Sequence, residues 1–421
     1  MDELIDVRYA INRKYIKSSS PSTIFMAIEI HSLKKPQDSP QVANLSLALD
    51  CSSSMRGEKF NQAKESALRL FELLQEQDYL SVISFDKSAK VDHPSIKKSS
   101  ASQSVEDVIK SLRLGKGTNI YEALELAYKE VSKEIEDSDS VTRRIVLLTD
   151  GEASVGRMEE KDFVLLSKRI REYHGITISP IGIGDEYDQR LLHAIAQAGG
   201  GLPYHVKESD DLRRIFTEQA DEISGTVLIS PTLSITMMPG AQIREIYSVT
   251  PTLRRLNVNG DNDNDSNGYT TKLRDIIVGQ RQTLALRVDL PERSSGIYRL
   301  AAVKVGHNLV KNILIDVTDD HASSSKETDP YPRMILACSE ATTLVNRGVQ
   351  VGDQDTILKA KTLMTSLTED KDFERVMTRR PIIKKMAATI RHVLERISQG
   401  PLSESDKREA IQDTTIILNK A

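Results

Sequence analysis

The sequence predicts an α/β domain with a doubly wound, mainly parallel sheet, inserted in a β-sandwich and followed by an α-helical C-terminal region. Three observations carry that prediction. Apolar strand-like runs alternate with amphipathic helical stripes from residue 43 to about 222. Short strand-like runs with turn-rich connections and no helical stripe then extend to about 320. From about 328 onward the apolar residues return to helical spacing. A chain of 421 residues is too long for one ordinary core, so two or three domains are expected. The boundaries read as 1–42 for N-terminal strands that pair with the sandwich, 43–224 for the α/β domain, 225–320 for the sandwich and 328–421 for the helical domain.

Taken in order, Ser22–Ile30 is an early strand, expected to pair with the later β segments so that the α/β domain interrupts the sandwich. Leu45–Leu49 is a strand ending at Asp50. A helix follows with Phe60, Ala63, Ala67, Leu70, Phe71 and Leu74 on one stripe. Tyr79–Phe85 is the next strand, and a helix beginning near Asn119 presents Ala123, Leu124, Ala127 and Val131. Arg144–Thr149 is almost wholly apolar, as a central strand covered on both faces should be. Ile176–Ile183 is a further strand, with helices at about 187–198 and 208–223. Strands alternating with helices imply right-handed crossovers and a parallel sheet. The sandwich strands are read at Thr226–Met237, Thr283–Leu290, Tyr298–Val305 and Asn312–Val317. The polar run Asp319–Lys326 reads as a linker. Helical stripes follow at Met334–Val345, Ile357–Leu367, Ile382–Ile397 and Lys407–Leu418, the last two separated at Gly400-Pro401.

Composition excludes several classes. Apolar residues make up 39% and charged residues 28%, as in an ordinary globular protein, and the net charge of −4 offers no attraction for nucleic acid. The cluster Arg379-Arg380 with Lys384-Lys385 reads as a solvated helix face. The N-terminus carries Asp2, Glu3 and Asp6 where a signal peptide needs a basic start. No run approaches the ~18 apolar residues of a membrane span, and Cys51 and Cys338 alone support no disulfide framework. These features point to a cytoplasmic protein.

Three separated segments carry the chemistry. Asp50-Cys51-Ser52-Ser53-Ser54 lies where a strand gives way to a helix, Gly115–Asn119 is a tight loop leading into a helix, and Thr149-Asp150-Gly151 ends the most apolar strand. In open α/β sheets, ligands bind at these carboxyl ends. Asp50, Ser52, Ser54, Thr118 and Asp150 offer only oxygen, which suits a hard cation; a softer ion would select Cys or His. Two carboxylates balance the charge of Mg²⁺, and three hydroxyls add ligands without more charge. The position left over suits an outside Asp or Glu. Each segment alone would read as a helix cap or a turn; their joint appearance in order reverses that reading.

At this point the sequence resembles the von Willebrand factor A family, whose metal-ion-dependent adhesion site has the pattern of Asp50-x-Ser52-x-Ser54, Thr118 and Asp150. The resemblance is specific over about 43–222 and implies a Rossmann-like fold of that family. It also implies a divalent cation (Mg²⁺, with Mn²⁺ or Ca²⁺ as alternatives) and a protein partner that supplies an acidic group. Ser53 departs from the Gly common there, with an expected slight restriction of the loop. The wider layout is similar to intracellular prokaryotic members. The function expected is a metal-ion-dependent protein-interaction module or adaptor, not an enzyme. The alternative is a regulatory subunit of a chelatase-like AAA+ ATPase machine, contacted through residues 330–421.

Other candidates fare worse. The eight histidines form no zinc spacing. Gly115–Thr118 lacks the phosphate-loop pattern. Asp261–Gly268 lacks the glycine and glutamate of a calcium loop and reads as an acidic hairpin. Cys51 reads as a small buried thiol. A metallohydrolase would need a base beside the ion, and Glu152 is the nearby candidate.

Overall fold

The computed structural model describes residues 5–32, 42–135, 141–184, 187–206, 209–258, 268–306, 309–324, 326–400 and 402–415. They form two compact units, one of Met1–Lys35 with Pro231–Ala421 and the other of Pro36–Ser230, so the second interrupts the first along the chain. Among the described residues no helix is long and apolar enough to cross a membrane.

Three strands open the chain: β1 (Ile5–Ile11), β2 (Tyr15–Lys17) and β3 (Ser22–Ser32). The interrupting unit then runs β4 (Val42–Asp50), α1 (Glu58–Leu73), β5 (Tyr79–Phe85), β6 (Ala89–Lys97), α2 (Lys98–Ser111), α3 (Ile120–Val131), β7 (Val141–Thr149), α4 (Glu160–His174), β8 (Thr177–Ile183), α5 (Gln189–Gly199), β9 (Tyr204–Val206), α6 (Ser209–Gly225) and β10 (Thr226–Leu228). Its six-stranded sheet has the order β6-β5-β4-β7-β8-β9. All neighbours are parallel except the edge pair β5 and β6. Strand β7 is central, and its Ile145, Val146, Leu147 and Leu148 are fully buried. One face of the sheet packs Ile145 and Leu147 on Leu124 and Ala127 of α3, Phe163 and Ile170 of α4 and Ile195 of α5. Burial on both faces explains why the strand shows no polar alternation. The edge elements β6 and α2, and helix α4, were not anticipated. β6 carries Pro94 and charged residues, and α4 is polar over most of its surface, so neither shows a clean period.

The other unit continues with β11 (Thr232–Met237), β12 (Gln242–Thr250), β13 (Arg254–Arg255), β14 (Gly268–Lys272), β15 (Ile276–Ile277), β16 (Arg281–Leu290), β17 (Gly296–Val305) and β18 (Leu309–Thr318). Two five-stranded sheets result, β1-β3-β16-β12-β13 and β14-β11-β17-β18-β2. β3 lies antiparallel to β16, from Ser22 opposite Leu290 to His31 opposite Arg281, the kind of pairing expected of the early strand. Ile24, Met26 and Ile28 of β3 with Leu284, Leu286 and Val288 of β16 are buried on one face; Ile235, Val303, Ile313 and Ile315 are buried in the second sheet. Outward residues of that second sheet, Ile297, Val310 and Leu314, are exposed, giving the one-sided alternation of a sandwich layer. The run Thr226–Met237 is not one strand, because Ser230 takes a positive φ of 42° before Pro231.

The C-terminal helices are α7 (His321–Ser324), α8 (Tyr331–Val351), α9 (Gln354–Thr368), α10 (Phe373–Arg379), α11 (Pro381–Gln399) and α12 (Glu404–Thr415). They share an apolar cluster with the other face of the first sheet, where Ala27, Tyr247 and Ala285 meet Met334, Ile335 and Ile383. The polar stretch read as a linker is instead held in place: Asp319 accepts hydrogen bonds from Ser18 and Ser295, and α7 lies within it. Arg380 is not simply solvated, which corrects the reading of its basic cluster. Its guanidinium lies 4.1 Å over the Tyr331 ring and 3.4 Å from Glu29 Oε1, which also accepts a 2.8 Å bond from the Tyr331 hydroxyl. Arg379, Lys384 and Lys385 remain exposed. Most of the acidic stretch Asp261–Gly268 lies outside the described residues.

Candidate metal centre

Strand order places the site. β4 pairs with β5 on one side and β7 on the other, so the chain's direction of winding switches there and the connections leave a crevice at the carboxyl edge. The parallel register puts Leu49 opposite Leu148, which brings Asp50 and Asp150 to neighbouring strand ends. Both carboxylates are buried, at 1% and 0% exposure.

Asp50 is held from two sides. Its Oδ1 accepts a 2.7 Å bond from the Ser52 amide, which turns the chain out of β4. Its Oδ2 accepts a 2.6 Å bond from Thr149 Oγ1 at the end of β7. The Cys51 amide continues the pairing with Phe85, and its carbonyl accepts from the Gly115 amide at 2.6 Å. The first loop is thereby fastened to β5 and to the 115–119 loop. Ser53 opens a single 3-10 turn to Met55 without a positive φ, so its side chain imposes no backbone strain.

The hydroxyls form a directed chain. Ser54 Oγ donates to Asp150 Oδ1 at 2.7 Å. Having used its one proton, Ser54 must accept from Ser52 Oγ, 2.8 Å away. Ser52 therefore keeps lone pairs, and Thr118 Oγ1 makes no hydrogen bond among the described residues. The point where a side chain at Gly151 would begin lies 3.6 Å from Ser54 Oγ and 3.8 Å from Thr118 Oγ1, so the two hydroxyls face one small space. Thr118 is fixed by its own backbone: its amide donates to Ser154 Oγ at 3.0 Å and its carbonyl accepts from the Ser154 amide at 3.0 Å. Next to it the Asn119 amide donates to the Asp86 carbonyl at 2.7 Å, and the Asn119 side chain caps α3. Gly115 makes room for Asp86: a Cβ there would lie 1.8 Å from Asp86 Oδ2, so the Asp86 side chain would have to move.

Electrostatics show what the site lacks. Burial pushes the Asp50 carboxyl up to about 6, against the hydrogen bonds from Thr149 and Ser52; the neighbouring Asp150 charge pushes the same way as burial. Lys59 Nζ, 2.8 Å from Asp150 Oδ2, supplies one positive charge. Two buried carboxylates with one ammonium leave a deficit of positive charge, and the open lone pairs belong to neutral hydroxyls. No group of three or more His, Cys, Asp and Glu occurs among the described residues, so any cation here depends on Ser and Thr oxygen. That donor set fits a hard divalent ion. Cys51 is buried in the same loop, and burial pushes its thiol up to about 12.

The structure thus gathers all five residues singled out by sequence, Asp50, Ser52, Ser54, Thr118 and Asp150, while Glu152 is exposed. It adds three that sequence reasoning missed: Thr149, Ser154 and Lys59. Thr149 lay in plain view beside Asp150, but its inward hydroxyl is a matter of strand pleat. Lys59 carried a signal, a cation in the first turn of a helix, where the dipole disfavours it.

Residues 44–218 match the model of the von Willebrand factor type A domain, so the chain contains a domain of this class. An uncharacterized protein of Synechocystis is 28% identical over 336 residues, covering 78% of this chain and 73% of its own. The Escherichia coli protein YfbK is 27% identical, covering 63% of this chain and 45% of its own length. Human inter-alpha-trypsin inhibitor heavy chain H3 is 29% identical over 184 residues, which span 42% of this chain and 20% of the human one. A solved von Willebrand factor type A protein from Catenulispora acidiphila aligns over 99% of this chain and 98% of its own, with a TM-score of 0.75 and 16% identity. The ArnB paralog VWA2 from Sulfolobus acidocaldarius aligns over 98% and 97%, with a TM-score of 0.60 and 15% identity. The fold of both units therefore recurs in known structures.

Proposed function

We propose that this chain is a metal-dependent protein-interaction module and not an enzyme. Asp50, Ser52, Ser54, Thr118 and Asp150 hold a divalent cation, Mg²⁺ in the first instance. When bound, the ion supplies a Lewis-acidic position that takes an Asp or Glu of a partner protein. The chain's own residues do the rest: Thr149 and the Ser52 amide orient Asp50, Ser54 aligns Asp150, and the 115–119 loop presents Thr118. The observation that supports this reading most is the convergence of two buried carboxylates and open hydroxyl oxygens at the switch point of the sheet, with too little positive charge beside them. The human relative's name, which refers to a trypsin inhibitor, fits a domain that acts on proteins.

Protein capture from native lysate with Mg²⁺ or with EDTA tests this, comparing wild type with Asp50→Ala/Ser52→Ala. Proteins retained only by wild type with Mg²⁺ are expected. Identical captures in all lanes would refute metal-gated docking; an AAA+ ATPase retained regardless of metal and lost on deleting 330–421 would favour the alternative.

A further inference from the structure

We propose that Lys59 tunes the metal centre: its ammonium group weakens the hold on the divalent ion and makes the loaded centre select an acidic ligand. This rests on the metal reading above. Lys59 Nζ sits 2.8 Å from Asp150 Oδ2, the carboxylate oxygen that Ser54 does not occupy. On its other side the Lys59 stem runs against the chain leaving β8. A Cβ on Gly184 would lie 3.3 Å from Nζ and 3.4 Å from Cε. The ammonium is thus confined between β8's exit and the aspartate, with its side chain 33% exposed.

The position is a poor one for a lysine by local rules. Lys59 is the second residue of α1, where the helix's positive end and unpaired amides repel a cation. Its partner Asp150 is the compensating interaction, so the residue serves the site and not the helix.

Charge counting gives the consequence. Asp50 and Asp150 bring two negative charges and Lys59 returns one. A divalent ion then leaves the centre with one positive charge in excess, which one external carboxylate cancels. Without Lys59, the ion and the two aspartates would already be neutral, and an incoming carboxylate would carry an uncompensated charge into a largely buried site, at a desolvation cost. Lys59 therefore opposes the ion and favours the acid, coupling the two binding events.

Mn²⁺ alone is the first probe, titrated into the full chain by calorimetry. Acetate is the second, followed by the loss of water-proton relaxation as it displaces water from bound Mn²⁺. Lys59→Met and Lys59→Gln should bind Mn²⁺ roughly tenfold more tightly, as expected for removing a unit charge a few ångströms from a dication in a partly buried site. Both should also need several-fold more acetate, whereas Lys59→Arg stays near wild type. Wild-type Mn²⁺ affinity and acetate response in both neutral variants would overturn the proposal and leave the metal reading standing. A wild-type chain that binds no Mn²⁺ would overturn the metal reading and this proposal with it.

Discussion

Replacing Thr149 by Val tests whether the orientation of Asp50 matters for the site. Thr149 is fully buried at the end of β7, and its hydroxyl donates 2.6 Å to Asp50 Oδ2 while accepting at 3.3 Å from the Gly151 amide. Valine keeps the shape and the β-branched strand preference, so β7 should persist. What is lost is one donor to a buried carboxylate. Leaving such an acceptor unpaired costs about 1–3 kcal/mol. Loss of an outer partner of a metal ligand lowers affinity by about 10–100-fold, and at about 1.4 kcal/mol per tenfold the two estimates agree. Mn²⁺ titration of Thr149→Val should therefore show affinity weakened by about 10–100-fold, with Thr149→Ser close to wild type. Thermal unfolding without metal controls for folding, and Ser52→Ala is the positive control. If Thr149→Val binds within about twofold of wild type while Ser52→Ala fails to bind, the argument from carboxylate orientation is refuted.

Two further outcomes follow from the fold. Arg144 and Glu222 form a buried pair, 2.6 Å apart at 1% and 5% side-chain exposure, joining the central strand to α6. Glu222→Leu removes the carboxylate from this buried guanidinium, which keeps its 3.2 Å bond to Gln219 Oε1, and should cost about 3 kcal/mol, whereas Arg144→Met/Glu222→Leu should recover most of it; hydrogen-exchange protection of β7 amides reads both. Burial holds His93, in β6, and His31, in β3, below the ordinary histidine value of 6.5. The unfolded chain then binds protons that these two folded imidazoles refuse, so their contribution to stability should be complete above 6.5 and fall as pH drops through it, while the raised Asp50 carboxyl acts the other way. Urea titrations at pH 7.5 and 5.5 check this, and His93→Gln should flatten the slope.

Sequence alone determined the class of the interrupting domain and singled out the candidates for its site. Periodicity did the first: Leu45–Leu49 and Arg144–Thr149 are too uniformly apolar to face water, and the stripe from Phe60 to Leu74 has helical spacing. Chemistry did the second, since two carboxylates and three hydroxyls at strand-to-helix junctions have few uses in common. Tertiary structure decided what spacing does not encode. Strands β12 and β14 were missed because Glu245, Arg244 and Lys272 dilute their pattern, and they acquire their state from pairing with β16 and β11. Arg380 looked like one of four surface cations until the packing of the α10–α11 junction on α8 and β3 brought it against Tyr331 and Glu29. Thr149 and Lys59 became part of the site only when strand register and the start of α1 brought them beside Asp50 and Asp150. Local sequence fixes which side of an element is apolar, but partners far apart in the chain, such as Lys59 and Asp150 or Glu29 and Arg380, are chosen by how the elements pack.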